Sequence, residues 1–384
     1  MRGALGALVV MRLVVNSAHR LIYPFLPVIA RGLGVSLDQA GLMVSARWAV
    51  GLGTPAIVTF AGRGERRRRL IGLGLVLFAL GAAVTAATNV YLGALVGFAL
   101  MGIAKPLFDV AAQAYLADRV PYASRARYLG TFELTWAGGL LIGAPLAGWM
   151  ISAAGWRAPF WAIAVLSLAG FFLAGRVLAP DVPEPTGSRA RLRWDAPAVA
   201  FMGVVALFSA AAELVFVVLG AWLEGSFGLS VITLGGTATL IALAELGGEG
   251  GVAGFADRIG KRATVAIGMT VAALGFVGIA MFASSLALGL AATMVAYLGF
   301  EVSIVGSIPL ASELRPRARS RFLAWMVVAM ALGRTIGAAA GTRVFAAHGV
   351  GGAALAAAVA NVLALVVFLA VARAFPADDA TDVS

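Results

Sequence analysis

Asp181-Val182-Pro183-Glu184-Pro185-Thr186-Gly187-Ser188-Arg189-Ala190-Arg191-Leu192-Arg193-Trp194-Asp195 is the only polar stretch near the middle of the chain, and its prolines and glycine give it the composition of a linker. Outward from it, glycine, proline and charge punctuation divides the sequence into apolar stretches of about 20 residues, the length an α-helix needs to cross a bilayer. Six precede the linker: Ala7–Ala30, Ala40–Ala61, Leu70–Thr88, Tyr91–Gln113, Tyr128–Ser152 and Pro159–Leu178. Six follow it: Ala196–Trp222, Val231–Ala253, Ala263–Phe282, Leu286–Leu310, Phe322–Phe345 and Val350–Val371. The expected architecture is an all-α membrane protein of 12 transmembrane helices, with six-helix bundles at 1–180 and 196–373, the linker at 181–195 and a tail at 374–384.

Composition points the same way. Of 384 residues, 61% are hydrophobic and 12% charged, whereas soluble domains carry about 25% charged residues. Mean hydropathy is +0.96, so the excess apolar surface must face lipid in a multi-pass protein of the plasma or inner membrane. The chain has no cysteine and only two histidines, His19 and His348, which excludes thiolate chemistry and a Cys- or His-based metal centre. No cofactor is expected. The net charge of +11 is not read as a nucleic-acid signature, because 27 of the 29 basic residues are arginine and most form short runs between apolar stretches, where they report topology. With the N-terminus cytoplasmic, 21 basic residues fall in inner loops and three (Arg31, Arg157, Arg343) outside, so both termini and the linker are expected in the cytoplasm. Arg12 interrupts the first apolar run and no small-x-small cleavage site follows, so the N-terminus reads as a retained helix.

The two halves are related. Gly34-Val35-Ser36 and Gly41 recur as Gly228-Leu229-Ser230 and Gly235 at an offset of 194, and Asp118 and Pro121 recur as Glu313 and Pro316 at 195. A nearly constant offset is what a duplicated six-helix unit leaves, a plan used by transporters. After the eighth stretch stands Gly254-Phe255-Ala256-Asp257-Arg258-Ile259-Gly260-Lys261-Arg262, which resembles the cytoplasmic loop signature of the major facilitator superfamily. Its first-half counterpart, Ala61-Gly62-Arg63-Gly64-Glu65-Arg66-Arg67-Arg68-Arg69, has Gly62 where the signature has Asp and Glu65 where it has Gly. The fifth stretch, Gly139-Leu140-Leu141-Ile142-Gly143-Ala144-Pro145-Leu146-Ala147-Gly148, is similar to the Gly/Pro signature of the antiporters in that superfamily. In the fourth, Phe98 stands where many drug/proton antiporters carry an Arg, with Lys105 along the same helix. The resemblance, to the 12-span drug/proton antiporter-like branch, implies alternating access between the halves. It also implies a gating role for Gly254, Asp257, Arg258, Gly260, Lys261, Arg262 and the first-half Arg63.

Eleven charges fall within or near the apolar stretches: Arg12, Arg20, Arg47, Lys105, Arg334, Asp109, Glu133, Glu213, Glu245, Glu249 and Glu301. At roughly 3 kcal/mol each, lipid exposure of all of them would cost on the order of 30 kcal/mol. That exceeds a typical stability of about 5–15 kcal/mol, so most must face each other or water. Stretches 1, 4, 7 and 10 hold Arg20, Lys105 with Asp109, Glu213 and Glu301, and stretches 3, 6, 9 and 12 hold none. In the family the first set lines the central cavity and the second faces lipid, so the pattern agrees with the resemblance. Sign segregates too, with His19, Arg20, Arg47 and Lys105 in the first half against Glu213, Glu245, Glu249 and Glu301 in the second.

Glu and His are the side chains whose protonation responds to desolvation and neighbouring charge. Glu213, Glu301, Glu245, Glu249 and Asp109 are therefore the candidate proton-coupling residues. His19, Arg20, Tyr23, Arg47, Lys105 and Arg334 are the candidate substrate-binding ones. Structural alternatives stand beside these roles. Lys105 and Asp109 at i,i+4 can simply neutralise each other, one of Glu245 and Glu249 can pair with Arg334 or Arg47, and Arg12 reads as snorkelling to the interface. The prolines of Tyr23-Pro24-Phe25-Leu26-Pro27 read as a kink, and the run Gly247-Gly248-Glu249-Gly250-Gly251 as a close helix interface. No nucleotide loop or nucleophile–base set appears, so the chain is not read as an enzyme. The expected function is secondary active transport, as proton-coupled efflux of small amphipathic compounds. An organic anion or zwitterion carrier and a lipid or lysolipid flippase are the alternatives. The expected partners are a small-molecule substrate, protons and membrane lipids, with the protein a monomer.

Overall fold

The computed structural model describes residues 2–53, 67–120, 128, 130–180, 192, 194–315 and 318–372. The helices are α1 (Arg2–Arg20), α2 (Ile22–Leu33), α3 (Leu37–Ala49), α4 (Arg67–Ala87), α5 (Tyr91–Arg119), α6 (Thr135–Leu141), α7 (Gly143–Ala154), α8 (Ala158–Val177), α9 (Ala196–Phe216), α10 (Leu219–Phe227), α11 (Val231–Ile259), α12 (Lys261–Met281), α13 (Leu286–Leu314) and α14 (Arg319–Val371). No strand occurs among the described residues. Nine helical stretches among them are long and apolar enough to cross a membrane, or ten if α1 and α2 count as one broken span. One of the nine, α14, has 53 residues and is two helices meeting at Gly349 (φ 65°, ψ −172°). Its length of about 80 Å at 1.5 Å per residue would otherwise be more than twice the bilayer core. The second expected span, Ala40–Ala61, runs beyond α3 and Gly53 into positions outside the described residues.

Local chemistry explains the breaks. The 56° bend between α1 and α2 falls at Leu21, just before Pro24 and Pro27, which donate no N–H to the carbonyls of Arg20 and Tyr23. Ser36 begins α3 with a capping box, accepting from Gln39 N–H at 3.1 Å while the Gln39 side chain accepts from Ser36 N–H at 3.0 Å. Asp195 caps α9, its Oδ1 accepting from Ala198 N–H at 3.0 Å and pairing with Arg315 at 2.5 Å. These partners, the Ala198 backbone bond foremost, hold the Asp195 carboxyl below its usual range, so the cap weakens only as pH falls through that depressed value.

The duplication is written into the backbone. Five glycines have positive φ, and four of them form pairs 194 residues apart: Gly34 (67°) with Gly228 (62°), and Gly155 (83°) with Gly349 (65°). A side chain in this left-handed region costs about 1–2 kcal/mol, which is why glycine stands at both members of each pair. Ser230 repeats the cap of Ser36, accepting from Thr233 N–H at 3.3 Å. Gly74 and Gly81 of α4 press against Phe108 and Met101 of α5, and Gly268 and Gly275 of α12 press against Ser303 and Ala296 of α13 in the matching places.

The chain forms two compact units, Met1–Ser188 with Gly228–Ala242, and Arg189–Phe227 with Leu243–Ser384. In the first, α4 packs on α5 and α8, and α1 on α6, α8 and α5; in the second, α9 packs on α14 and α12 on α13. Large apolar side chains stand exposed along α8 (Trp161, Val165, Phe172) and along the last part of α14 (Leu355, Val359, Val366), where the sequence carries no buried charge. Such surfaces are stable only against lipid.

Candidate functional site

Four charges meet in the first unit. Arg12 is buried and does not snorkel, which corrects the sequence reading. Its Nε donates to Asp109 Oδ1 at 3.2 Å, its Nη2 to Glu133 Oε2 at 2.9 Å and its Nη1 to the Phe132 carbonyl at 2.7 Å. The Phe132 ring lies 4.2 Å beneath the guanidinium. Lys105 Nζ donates to Asp109 Oδ2 at 2.5 Å and to Asn16 Oδ1 at 2.9 Å, and Asn16 donates to Thr135 at 3.1 Å. Gln113 donates to Glu133 at 2.8 Å. Two cations and two carboxylates balance, so the positive charge expected to gather in the first half is partly neutralised from within. Accessibility is graded along the network, from a Glu133 side chain 51% exposed to Asp109 at 16% and Lys105 at 11%.

Beside this network lies an aromatic and cationic cluster. Arg47 of α3 donates to the His19 carbonyl at 2.7 Å and to Tyr23 Oη at 3.1 Å, and Trp48 Nε1 donates to the same hydroxyl at 3.0 Å. Arg47 thus ties α3 across the α1–α2 break. The His19 ring meets Trp48 edge-on at 4.7 Å. Trp136 of α6, which the sequence reading did not single out, collects three basic side chains. The Arg20 guanidinium stands 4.6 Å from its ring centre, Lys105 Nζ 5.3 Å and the His19 ring 6.2 Å. An aromatic next to Thr135 and four residues after Phe132, on a helix otherwise read for its glycines, left no signal in spacing alone.

In the second unit, Arg334 Nη1 of α14 pairs with Glu213 Oε2 of α9 at 2.9 Å, with side chains 6% and 0% exposed. Arg334 therefore reaches Glu213, a partner that the sequence reading had not assigned to it. Phe300 lies 5.2 Å from the guanidinium. The close approach of the two helices depends on glycine. Gly337 and Gly341 lie against the carbonyls of Ala210 and Leu214, where an added Cβ would come within 2.6 Å of oxygen at each, and Gly333 abuts the Ala206 carbonyl one turn earlier. Glu301 and Glu245 are buried, and Gly248 packs on the Leu298 carbonyl beside Glu301 Cβ. The other glycines of the 247–251 run face open space or, for Gly247, only the tip of Leu298, so as an interface it shrinks to Gly248.

The signature segment is not a long loop. α11 continues through Gly254, with Arg258 exposed in its last turn, to Ile259, and the chain turns at Gly260 alone (φ 85°) before Lys261 opens α12. Lys261 pairs with Glu313 at the end of α13, and Arg67 pairs with Asp118 at the end of α5. These two latches occupy equivalent places, 194 and 195 residues apart. Arg262 opens α12 beside Lys261. Arg63 and the side chain of Asp257 lie outside the described residues. Among the described residues no cluster of His, Cys, Asp and Glu could hold a metal ion.

A fold of duplicated helical units with buried charge has known counterparts. The family model described as Major Facilitator Superfamily matches residues 8–210. The chain belongs to the major facilitator superfamily. It is thus a multi-pass membrane protein of a family of transporters, not enzymes. Among curated relatives it is 31% identical over 154 residues to the inner membrane transport protein YdhP of Escherichia coli, covering 39% of each chain. It is 34% identical over 153 residues to the chloramphenicol resistance protein of Streptomyces lividans, covering 38% of this chain and 37% of that one. The chain spans between about a third and two fifths of the length of such relatives. Among solved structures, a bacterial homologue of the human lysosomal transporter Spinster superposes with a TM-score of 0.80 over 97% of this chain and 96% of that one, at 16% identity. The nucleoside transporter NupG superposes at 0.74 over 96% and 99%, at 14% identity. These two likenesses concern the fold.

Proposed function

We propose that this superfamily member is a 12-span secondary active transporter of the inner membrane that moves small amphipathic compounds outward in exchange for protons. The observation that carries the reading is the Glu213–Arg334 pair, a carboxylate and a guanidinium sealed from solvent and held at 2.9 Å. Protonation of Glu213 cancels the attraction to Arg334, and loss of the proton restores it. Breaking a buried pair by removing one charge costs about 3–5 kcal/mol. That is enough to bias a two-state element, and alternating access supplies such an element. Glu301, Glu245, Glu249 and Asp109 are the further proton-coupling residues. The similarity to the chloramphenicol resistance protein and to YdhP supports a small organic compound as cargo in the inner membrane. The protein acts as a monomer with lipids as its only other partners.

The first step of the test is a thermal-shift screen across drugs and metabolites, since a ligand of the folded state alone raises its stability by RT ln(1 + [L]/Kd). Transport of the hit is then followed in proteoliposomes with and without an imposed pH gradient. Wild-type protein should accumulate substrate only with the gradient. Glu213→Gln and Glu301→Gln should bind it within about tenfold, roughly 1.4 kcal/mol, yet lose uphill transport. Accumulation that ignores the gradient overturns the reading.

A second reading is favoured by Trp136. With Arg20, Lys105 and His19 about its ring, the first unit offers an aromatic platform edged with positive charge, which suits an organic anion or zwitterion. Transport that is insensitive to the gradient but lost in Arg20→Gln would favour it.

A further inference from the structure

A groove of about 770 Å³ runs between the end of α7 and the first turns of α8. Ala154, Ala158 and Ala162 line it, so it stays deep where larger side chains would fill it, and Trp161, Val165 and Leu166 stand 47%, 65% and 52% exposed beside it. Its lining is apolar apart from one cation, Arg157, at the turn between the two helices. Arg157 Nη2 donates to Asn89 Oδ1 at 2.6 Å and to the Thr88 carbonyl at 3.2 Å, and the guanidinium stands 4.4 Å from the Trp156 ring. Among the described residues no carboxylate lies within ion-pair distance of it. A guanidinium carries five N–H donors, and the three on Nε and Nη1 make no hydrogen bond among the described residues. The end-of-span cations Arg67, Lys261 and Arg315 each have an acid; Arg157 has a groove instead.

We propose that this groove is a binding site for one anionic phospholipid, an acyl chain lying along the alanines and the phosphate on Arg157. An apolar channel open along a lipid-facing helix can be filled only by what the bilayer supplies, and a lone arginine at its head selects a negative headgroup by charge complementarity. Trp161, one helical turn beyond Arg157, would set its indole where headgroup meets chain. The bound lipid would brace the α7–α8 turn against the α4–α5 connection that Arg157 already holds.

The test uses the full chain in nanodiscs of phosphatidylcholine with and without phosphatidylglycerol, read by native mass spectrometry for retained lipid and by thermal unfolding. Wild type should retain one phosphatidylglycerol in preference to phosphatidylcholine and unfold at a higher temperature when it is present. Arg157→Gln should weaken retention about tenfold or more, the loss expected for a charge-assisted hydrogen bond. Arg157→Lys should keep part of it. Ala162→Phe fills the groove without touching Arg157 and should weaken retention as much, whereas Asn89→Ala removes only the tether and should leave retention intact. Equal retention of both lipids by wild type overturns the proposal. So does an Arg157→Gln variant that loses the same stability in both nanodiscs, because Arg157 would then only tether Thr88 and Asn89.

Discussion

Asp109 carries two cations at once, and that decides how its neighbours share the cost of being buried. Arg12 and Lys105 both bond its carboxylate, whereas Glu133 bonds one cation, Arg12, along with the Gln113 amide, and is half exposed. Asp109→Asn leaves two buried cations with Glu133, which bonds Arg12 but not Lys105, a loss of about 3–5 kcal/mol for a broken buried pair. Arg12→Met leaves Lys105 and Asp109 paired and should cost less, about 1.5–3 kcal/mol for its charged hydrogen bonds. Glu133→Gln should cost no more than about 1 kcal/mol, as for other water-screened pairs. Chemical unfolding of the three variants in one detergent gives the order, and a Glu133→Gln loss equal to that of Asp109→Asn would contradict the shared-acid account. The Lys105–Asp109 half of this network is legible in sequence, because its members are one helical turn apart. The Arg12 half is not: its acids lie 97 and 121 residues away, and only the α1–α6 and α1–α5 packing brings them in.

Helix contacts in this chain are set by glycine against carbonyl. Where the sequence concentrates its glycines, at 247–251, an added Cβ at Gly250 or Gly251 meets nothing within 4 Å. The tight interface lies instead at Gly333, Gly337 and Gly341, spaced by four so that one face of α14 is bare along two turns against Ala206, Ala210 and Leu214. The apolar stretches and the α1–α2 kink could be read from composition, punctuation and proline. Which glycines press on a neighbour could not, because that depends on the partner helix. Gly337→Leu should force α14 off α9, since a Cβ there already falls 2.6 Å from the Ala210 carbonyl and 2.8 Å from Glu213 Cβ. The overpacking cost of about 1–3 kcal/mol should come with a loosened Glu213–Arg334 pair. Gly250→Ala should be neutral or stabilising by up to about 1 kcal/mol from helix propensity alone. Thermal unfolding of the two variants side by side checks this, and equal destabilisation would mean that α11 packs in a way its open glycines do not suggest.

At the scale of the whole chain, the offset of 194 is a statement about topology. Parallel repeats are related by an axis along the membrane normal, so equivalent positions lie on the same side, whereas inverted repeats put them on opposite sides. An even number of spans per repeat gives the parallel case, and the latches Arg67–Asp118 and Lys261–Glu313, matched in place and sign, fit it. On the proposed 12-span topology, 21 basic residues fall in the inner loops and three in the outer ones, which would make the side of the inner loops cytoplasmic. Single cysteines report this cleanly, because the chain has none of its own. Asn89→Cys and Ala283→Cys, 194 residues apart, should both react with an impermeant maleimide added to intact cells. Arg69→Cys and Ala263→Cys, also 194 apart, should react only after the membrane is opened. If the members of one pair label from opposite sides, the repeats are inverted and the two bundles cannot hold six spans each. If both pairs label together but with the sides exchanged, the duplication stands and the arginine count has misread the orientation, which would turn the proposed direction of proton flow around with it.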